Sequence, residues 1–323
     1  MHPTRRQALA LPALALLPAA AAAQPRWPEG LVRVVVPVPA GTTTDIIARP
    51  LAAHFAQVFG QPFVVDNRVG GGGTLGTEAV ATATDGHTIG LSLNGPVLTA
   101  KALFPRLGYD PETDLTPICM LDRVPTALVV PAGLATDLPG FLARLRQQPG
   151  QHSYGTIGVG SSGHLAMEEL KHVAGVQLEH VPYRGFPQAT LDLVAGRIHA
   201  MISPLASVQG PAREGQLRIL AVTQAERTPL APNLPTLAEA GLPGVTALAW
   251  NGLFGPRGMP DALAQRLAQE AGRALMVPEI KAAMATAGLE VVQDTPAAFA
   301  RFLAAERARW TAVVRRLGIT AES

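Results

Sequence analysis

Short runs of β-branched residues recur along this chain, each followed by a turn rich in glycine or hydroxyl residues and then by a segment of helical periodicity. The first run covers residues 31–37, and residues 38–44 separate it from a helix predicted to open at Asp45. Alternation of this kind with short loops is typical of βαβ units and a parallel sheet. The sequence therefore predicts an α/β fold.

The composition excludes several classes of protein. Of the 323 residues, 48% are hydrophobic and 15% are charged, whereas a disordered chain needs low hydrophobicity and high net charge. No segment concentrates lysine and arginine, so we expect no nucleic-acid partner. The single cysteine, Cys119, excludes an intrachain disulfide and a cysteine-rich metal site.

The first 23 residues have the order of a secretory signal peptide. Arg5 and Arg6 precede an apolar stretch over residues 8–17, and small residues follow up to Ala23. The stretch is shorter than the ~20 residues needed to span a bilayer. We expect export to the periplasm with cleavage near Ala23, by the general secretory or the twin-arginine route. Removal of both arginines leaves 24 basic and 24 acidic residues, hence no net charge.

The periodicities predict two α/β units and a helical C-terminal region. In the first unit we expect a kink or restart of the first helix at Pro50 and a glycine cap at Gly60. The strands predicted there are residues 31–37, 63–65 and 88–93, and a second helix is residues 77–83. The second unit begins near Thr126, with strands at residues 127–131, 154–157, 178–182, 198–202 and 219–222, and helices at residues 138–147, 164–173 and 186–195.

After Trp250 the pattern becomes helical. Thr295 caps the last helix, whose predicted apolar face is Phe299, Phe302, Leu303, Trp310, Val313 and Leu317. We predict two lobes with a cleft between them: residues 24–125 together with 251–323, and residues 126–250. Trp250 and Asn251 lie where the chain returns between the lobes, and a packed hinge is the simplest interpretation.

Two loops of small and hydroxyl residues lie between a strand and a helix N-terminus. The first loop is residues 39–45 and the second loop is residues 158–164. Exposed backbone N–H groups and the helix dipole make such a loop a seat for an anion. Ordinary helix capping explains either loop alone. One loop in each unit favours a binding site in the cleft where the strand ends meet.

Other chemistries are less well supported. Gly158, Gly160 and Gly163 match the dinucleotide fingerprint, but they lie mid-chain in an exported protein, and Glu179 follows early. The second loop is one residue short of the serine-hydrolase elbow, and no nucleophile and base accompany it. His164 and His172 lie two turns apart, without the spacing of a metal site. We expect no catalytic residue, metal or cofactor.

Five stretches, in this order, carry a resemblance to a known family. They are VRVVVPVPAGTTTD at residues 32–45, GQPFVVDNRVGGGGTLGTEAVATATDGHT at 60–88, GVGSSGHLAMEELKHVAGVQLEHVPYRG at 158–185, and LRILAVTQAERTPLAPNLPTLAEAGLPG at 217–244 with LFGPRGMP at 253–260. Together they resemble the Bug/TctC family, the periplasmic solute receptors of tripartite tricarboxylate transporters. The resemblance covers almost the whole mature chain.

The resemblance implies a type II-like periplasmic binding protein whose two lobes close on a small carboxylate. The residues that it places in the site are Ala40, Gly41, Thr42, Thr43, Thr44 and Asp45 in the first loop, Gly160, Ser161, Ser162 and His164 in the second loop, and Asn94, Arg184 and Ser203 along the cleft. From the residues alone, Arg184 is either an anion contact or a surface arginine.

Three positions depart from the family pattern. Thr42 replaces a second glycine of the first loop, Val38 replaces an aromatic residue, and Ser203 replaces an aspartate that often contacts an amino group or water. The last departure argues against an amino-acid ligand. The resemblance also implies a monomer that delivers its ligand to membrane subunits of a transporter. An exported enzyme that uses the second loop for a cofactor or oxyanion is the alternative, and a signalling role is compatible with the receptor.

Overall fold

Strands and helices alternate through residues 27–321, the part of the chain that the computed structural model describes. The strands are β1 (Val32–Val36), β2 (Phe63–Asn67), β3 (Thr88–Leu93), β4 (Leu115–Val124), β5 (Thr126–Pro131), β6 (Ser153–Thr156), β7 (Glu179–Pro182), β8 (Ala200–Pro204), β9 (Leu217–Val222), β10 (Ala249–Pro256) and β11 (Glu290–Val291). The predicted signal peptide lies outside the described residues.

The helices lie between these strands and after the last of them. They are α1 (Thr43–Phe59), α2 (Thr74–Ala81), α3 (Ala100–Leu103), α4 (Leu138–Gln147), α5 (Ser162–Ala174), α6 (Phe186–Val194), α7 (Leu205–Arg213), α8 (Asp261–Leu275), α9 (Pro278–Thr286) and α10 (Pro296–Leu317). A 3₁₀ turn at Gly71–Gly73 leads into α2, and a π-helical turn at Gly95–Thr99 leads into α3.

The strands form two sheets, which confirms the predicted α/β class. The first sheet has the order β11-β4-β10-β3-β1-β2, and the second has the order β7-β6-β8-β5-β9. The chain leaves the first sheet at the end of β4, crosses at Pro125 and starts the second sheet with β5. It returns to the first sheet with β10. The two sheets are therefore joined by two neighbouring crossings.

The prediction of parallel sheets was wrong, because both sheets are mixed. β1 pairs in parallel with β2 and β3, but β10 runs antiparallel to β3 and β4. In the second sheet β6 is parallel to β7 and β8, whereas β5 is antiparallel to β8 and β9. Hydrophobic periodicity reports which residues are buried but not the direction in which a strand runs.

Three strands were not predicted from the sequence: β4, β10 and the two-residue β11. β4 carries Asp122 and Arg123 just before its last residue, charges that are atypical of a buried strand, yet Asp122 is completely buried. β10 covers the stretch after Trp250 that the sequence predicted to turn helical. Trp250 and Asn251 are buried members of this strand, which lies between β3 and β4. Helices α3, α7 and α9 were also not predicted.

Helix α1 continues past Pro50 as one helix to Phe59 and ends on the predicted glycine cap, Gly60, with φ of 71°. Of the two alternatives predicted at Pro50, the restart was therefore wrong, and the kink stays a prediction. Proline removes one backbone donor and one intrahelical hydrogen bond. The apolar face of this helix, which includes Ile47, Leu51 and Phe55, is buried on both sides of Pro50. This packing holds the helix together across the proline.

Helix α10 connects the two halves of the structure. It contacts β4 of the first sheet and α5, which follows β6 of the second sheet. Thr295 caps it as predicted, accepting a hydrogen bond from the Ala298 N–H at 3.2 Å. Its predicted face is confirmed: the buried residues are Phe299, Leu303, Trp310, Val313 and Val314, and Phe302 and Leu317 pack partly buried against the same core.

Candidate functional site

The first loop turns sharply before α1 and is held from within the protein by Asp45. Gly41 adopts φ of 81°, a left-handed conformation that glycine takes without strain. Its N–H donates to the Asp45 carboxylate at 2.9 Å. Asp45 is buried, whereas Ala40 and Gly41 are exposed. Asp45 therefore supports the loop, and it occupies the Gly41 N–H that an anion would otherwise meet.

Arg49 and Asn67 complete the surroundings of Asp45. The Arg49 guanidinium donates to both carboxylate oxygens at 2.8 and 2.9 Å, and the Asn67 amide donates at 3.0 Å. Burial acts to raise the pKa of Asp45, but these hydrogen bonds and the one from Gly41 outweigh it and hold the pKa below its usual value. Asp45 is thus ionised, and Arg49 balances its charge beside the loop.

Thr44 is tied to the first sheet instead of facing solvent. Its hydroxyl donates to the Asn251 side-chain oxygen at 2.7 Å, in a buried contact. The Asn251 amide donates in turn to both oxygens of Asp122 at 3.0 Å. Asp122 was not among the residues predicted from the sequence. The one signal that could have indicated it is its position as an isolated acidic residue directly after an apolar run, residues 117–121.

Asp122 makes the free energy of unfolding depend on pH. Burial raises its pKa to about 7, from 3.8 for a solvated aspartate, and the hydrogen bonds from Asn251 act in the opposite direction. Between these two values the folded chain holds a proton that the unfolded chain releases, so this residue's contribution to stability falls as the pH rises through that window.

The substitution Asp122→Asn is expected to remove this contribution. Urea unfolding at about pH 5 and about pH 8 should show a smaller loss of stability with rising pH in the variant than in the parent. An unchanged difference between the two pH values would show that Asp122 does not titrate in this range.

The second loop ends in a capped helix. Ser161 is the N-cap of α5: its hydroxyl accepts from the His164 N–H at 3.3 Å and donates to the Gly158 carbonyl at 2.8 Å. The capping interpretation of this residue is therefore correct. Ser162 opens the helix, two residues earlier than predicted, and its side chain makes no hydrogen bond within the described part of the chain.

Two histidines lie beneath the second loop. The Gly160 N–H donates to His164 Nδ1 at 3.3 Å, so the neutral imidazole carries its proton on Nε2. Burial, and to a lesser extent His180, lower the pKa of His164 to about 4. His180 Nε2 lies 2.7 Å from the hydroxyl of Thr156, which accepts from the Gly158 N–H at 3.1 Å. His164 is therefore an uncharged support for the loop at neutral pH.

The carboxyl ends of three parallel strands place other predicted residues near the second loop. β6, β7 and β8 end at Thr156, Pro182 and Pro204 along one edge of the second sheet. Arg184 follows β7 and is exposed, without an ion pair among residues 27–321. Ser203 is completely buried near the end of β8, and its hydroxyl has no hydrogen-bond partner in that same range.

The second loop also contacts the segment that follows β3. The Thr99 hydroxyl donates to the Gly160 carbonyl at 3.3 Å. Asn94 donates to the Leu248 carbonyl at 2.8 Å and accepts from the Trp250 N–H at 3.1 Å, next to the second crossing. A small cavity at this contact is lined by Asn94, Leu98, Thr99, Gly160, Ser162, Leu165 and Trp310. The structure thus brings Asn94, Gly160 and Ser162 together; Arg184 and the residues of the first loop do not line this cavity.

A family model described as "Tripartite tricarboxylate transporter family receptor" (TctC) matches residues 47–319, which is most of the chain. The chain belongs to this family. The resemblance to the Bug/TctC family is therefore confirmed. Within residues 27–321, no helix of this receptor is long and apolar enough to cross a bilayer.

Individual relatives agree with the family match. "Protein BugT" of Bordetella pertussis is 34% identical over 295 residues, which are 90% of each chain. The structure of R. palustris Rpa4515 with adipate has a TM-score of 0.82, with 36% identity over 91% of this chain and 99% of that one. The structure of MatC from Rhodopseudomonas palustris with bound malate has a TM-score of 0.79, with 33% identity over 89% of this chain and 100% of that one.

Proposed function

We propose that this protein is a periplasmic receptor that captures a small organic carboxylate between its two lobes for uptake by a tripartite tricarboxylate-type transporter. The observation that carries the proposal is the pair of loops at the N-termini of α1 and α5, one from each sheet, in a family whose solved members include one with adipate and one with malate. The proposal includes the lobe boundaries after residues 125 and 250, a cleaved signal peptide over residues 1–23, and a monomer in solution.

Energetics favour binding by many hydrogen bonds in a closed cleft. A micromolar dissociation constant corresponds to about −8 kcal/mol. One helix N-terminus contributes only about 0.3–1 kcal/mol, or ~2 kcal/mol in a partly buried site. Hydrogen bonds to ionised oxygens contribute about 1.5–3 kcal/mol each before ordering costs. The ligand must therefore bridge both loops and stabilise the closed state, which the membrane partner would recognise.

The mature chain is expected to carry no net charge, which affects how it attracts a carboxylate ligand. An overall field would not attract the anion, so attraction has to come from local donors at the loops. Arg184 is exposed at the strand edge beside the second loop, and it is the arginine that we propose for this role. Asp45 is excluded from direct anion contact in this arrangement because its carboxylate is ionised and already paired.

The test is a thermal-shift panel of di- and tricarboxylates, aromatic acids and amino acids on the mature protein. A ligand at 100 times its dissociation constant stabilises the folded state by about 2.7 kcal/mol, which raises the melting temperature measurably. At least one carboxylate is expected to do so. If a nucleotide or a metal ion stabilises the protein and no carboxylate does, the receptor proposal is wrong. Chemical conversion of the bound acid on prolonged incubation would instead support the enzyme alternative.

The double substitution Ser161→Ala and Ser162→Ala is expected to weaken carboxylate binding with a modest loss of stability. Loss of the Ser161 cap costs about 1 kcal/mol, because its hydroxyl accepts from the His164 N–H and donates to the Gly158 carbonyl. Loss of the Ser162 hydroxyl as a donor to an anion costs about 1.5–3 kcal/mol. Isothermal titration calorimetry measures the affinity, and urea unfolding measures the stability. Thr136→Ala, in an exposed turn of the second sheet, is the control. Unchanged affinity in the double variant would show that the Ser162 hydroxyl does not contact the ligand and that the Ser161 cap does not shape the site.

A further inference from the structure

A buried carboxyl group lies beside both crossings between the sheets. Asp122 precedes the end of β4 at Val124 by two residues, and its partner Asn251 follows the start of β10 at Ala249 by two residues. The two residues are directly paired across the antiparallel ladder. Asp122 is completely buried and makes no ion pair within residues 27–321. A buried carboxyl group without a cation is costly, and Asn251 supplies its side-chain hydrogen bonds.

The same asparagine reaches the first loop. Its side-chain oxygen accepts from Thr44, so one amide joins β4, β10 and the first turn of α1. Thr44 is buried and adjoins Asp45, whose carboxylate holds the Gly41 N–H. Thr44 and Asp45 therefore both hold the loop. Asp45 is bonded to Arg49 of α1 and Asn67 of β2, and Thr44 is connected through Asn251 to the crossing strands β4 and β10.

We propose that Asp122 is a positioning residue for the first loop: through Asn251 and Thr44 it keeps that loop in a fixed relation to the two strands by which the chain crosses between sheets. This inference rests on the proposed function, in which the first loop binds the carboxylate. A shift of β4 against β10 would change the hydrogen bond to Thr44, and an anion that fixes the loop would favour one arrangement of the crossing strands. Asp122 itself does not touch the ligand.

The first test measures amide hydrogen exchange of residues 41–46 in the ligand-free protein. Thr44→Val, which removes the hydroxyl and keeps the shape, and Asn251→Asp, which sets a second carboxylate against Asp122, are both expected to raise the exchange rate about three- to tenfold, the equivalent of one lost hydrogen bond. Thr44→Ser retains the hydroxyl and should match the parent.

A charge swap separates positioning from general stability. In the double variant Asp122→Asn with Asn251→Asp, the aspartate at 251 accepts from both Thr44 and the new amide, so exchange of residues 41–46 is expected to return toward the parent rate. Thr88→Val is the matched control: it removes another buried hydroxyl that donates to a carboxylate, that of Asp85 at 2.7 Å. Thr88 is the first residue of β3 and pairs with Arg33 near the start of β1, whereas the first loop follows the end of β1. The substitution should leave residues 41–46 unchanged.

The second test measures the dissociation constant for adipate in the same variants. We expect it to rise about three- to tenfold in Thr44→Val and Asn251→Asp and to recover in the swap. If the amide exchange rate of residues 41–46 does not rise in Thr44→Val, or does not return toward the parent rate in the double variant, the positioning role is wrong whether or not a carboxylate binds. If the exchange rate rises in Thr44→Val and recovers in the double variant, the positioning role is supported even if no carboxylate binds. Failure of adipate and the other carboxylates to bind would overturn only the proposed function.

Discussion

Replacing Phe299 with alanine is expected to lower the free energy of unfolding by about 3–5 kcal/mol, the range for a fully buried phenylalanine. Phe299 is completely buried where α10 crosses β10, with its ring centroid 5.5 Å from that of Trp250 and 5.3 Å from that of Phe254. Gly252 faces the same ring: a Cβ at that position would lie 2.4 Å from the Phe299 Cζ. The ring therefore fills the space in front of Gly252, which has no side chain to occupy the void that alanine would leave.

Urea unfolding followed by circular dichroism measures this loss. Leu191→Ala is the control, because Leu191 is also apolar and helical but is 69% exposed, and its substitution should change stability by less than about 0.5 kcal/mol. If the two variants lose similar amounts, α10 is not docked through Phe299. Since α10 contacts elements of both sheets, a loose α10 should also broaden the unfolding transition.

Replacing Gly160 with alanine is expected to raise the dissociation constant for the ligand about tenfold or more, a loss of about 1.4 kcal/mol. A Cβ at Gly160 would lie 2.4 Å from Leu103 Cδ1 and 3.4 Å from the Thr99 hydroxyl, and both of these residues belong to the segment after β3. Leu103 is buried and cannot simply turn away. The substitution thus opposes the contact between the second loop and the other sheet, and it reduces the fraction of molecules that can close.

Gly158→Ala is the matched control for Gly160→Ala. Both glycines have positive φ, 120° at Gly158 and 78° at Gly160, so an alanine at either position strains the backbone of the same loop. A Cβ at Gly158 would meet no atom within 4 Å. Calorimetric affinities should therefore fall further for Gly160→Ala than for Gly158→Ala. Equal losses would mean that backbone strain in the loop, and not the contact between the sheets, governs binding.

Local sequence patterns predicted the strands of the second sheet, three strands of the first sheet and several of the helices. Residues 138–147 form α4 as expected, and residues 88–93 form β3, because each combines strong periodicity with a clear cap or turn at its ends. Among strands longer than two residues, the predictions failed at β4 and β10. Both strands run antiparallel to a neighbour, carry polar residues at the crossings, and are stabilised by ladder partners more than one hundred residues away, which no local window contains.

The two loops were likewise predictable only in part. Their glycine and hydroxyl content identified them as strand-to-helix turns, and the family resemblance that they helped to carry is confirmed. Which groups face outward was not predictable. Asp45 and Thr44 turn inward to Arg49 and Asn251, and His164 lies buried beneath the second loop. Composition reports which donors and acceptors a loop has, and the partners that occupy them come from other elements.

By itself, the sequence determined that this chain is an α/β protein with two glycine- and hydroxyl-rich loops between a strand and a helix, because strand and helix periods and capping residues act over a few residues. The tertiary structure alone decided that both sheets are mixed and that the crossing strands lie side by side. It also decided that the carboxyl group of Asp122 lies buried there, connected through Asn251 to Thr44. Burial and hydrogen bonding between distant segments depend on the assembled fold, because water satisfies the same polar groups in the unfolded chain.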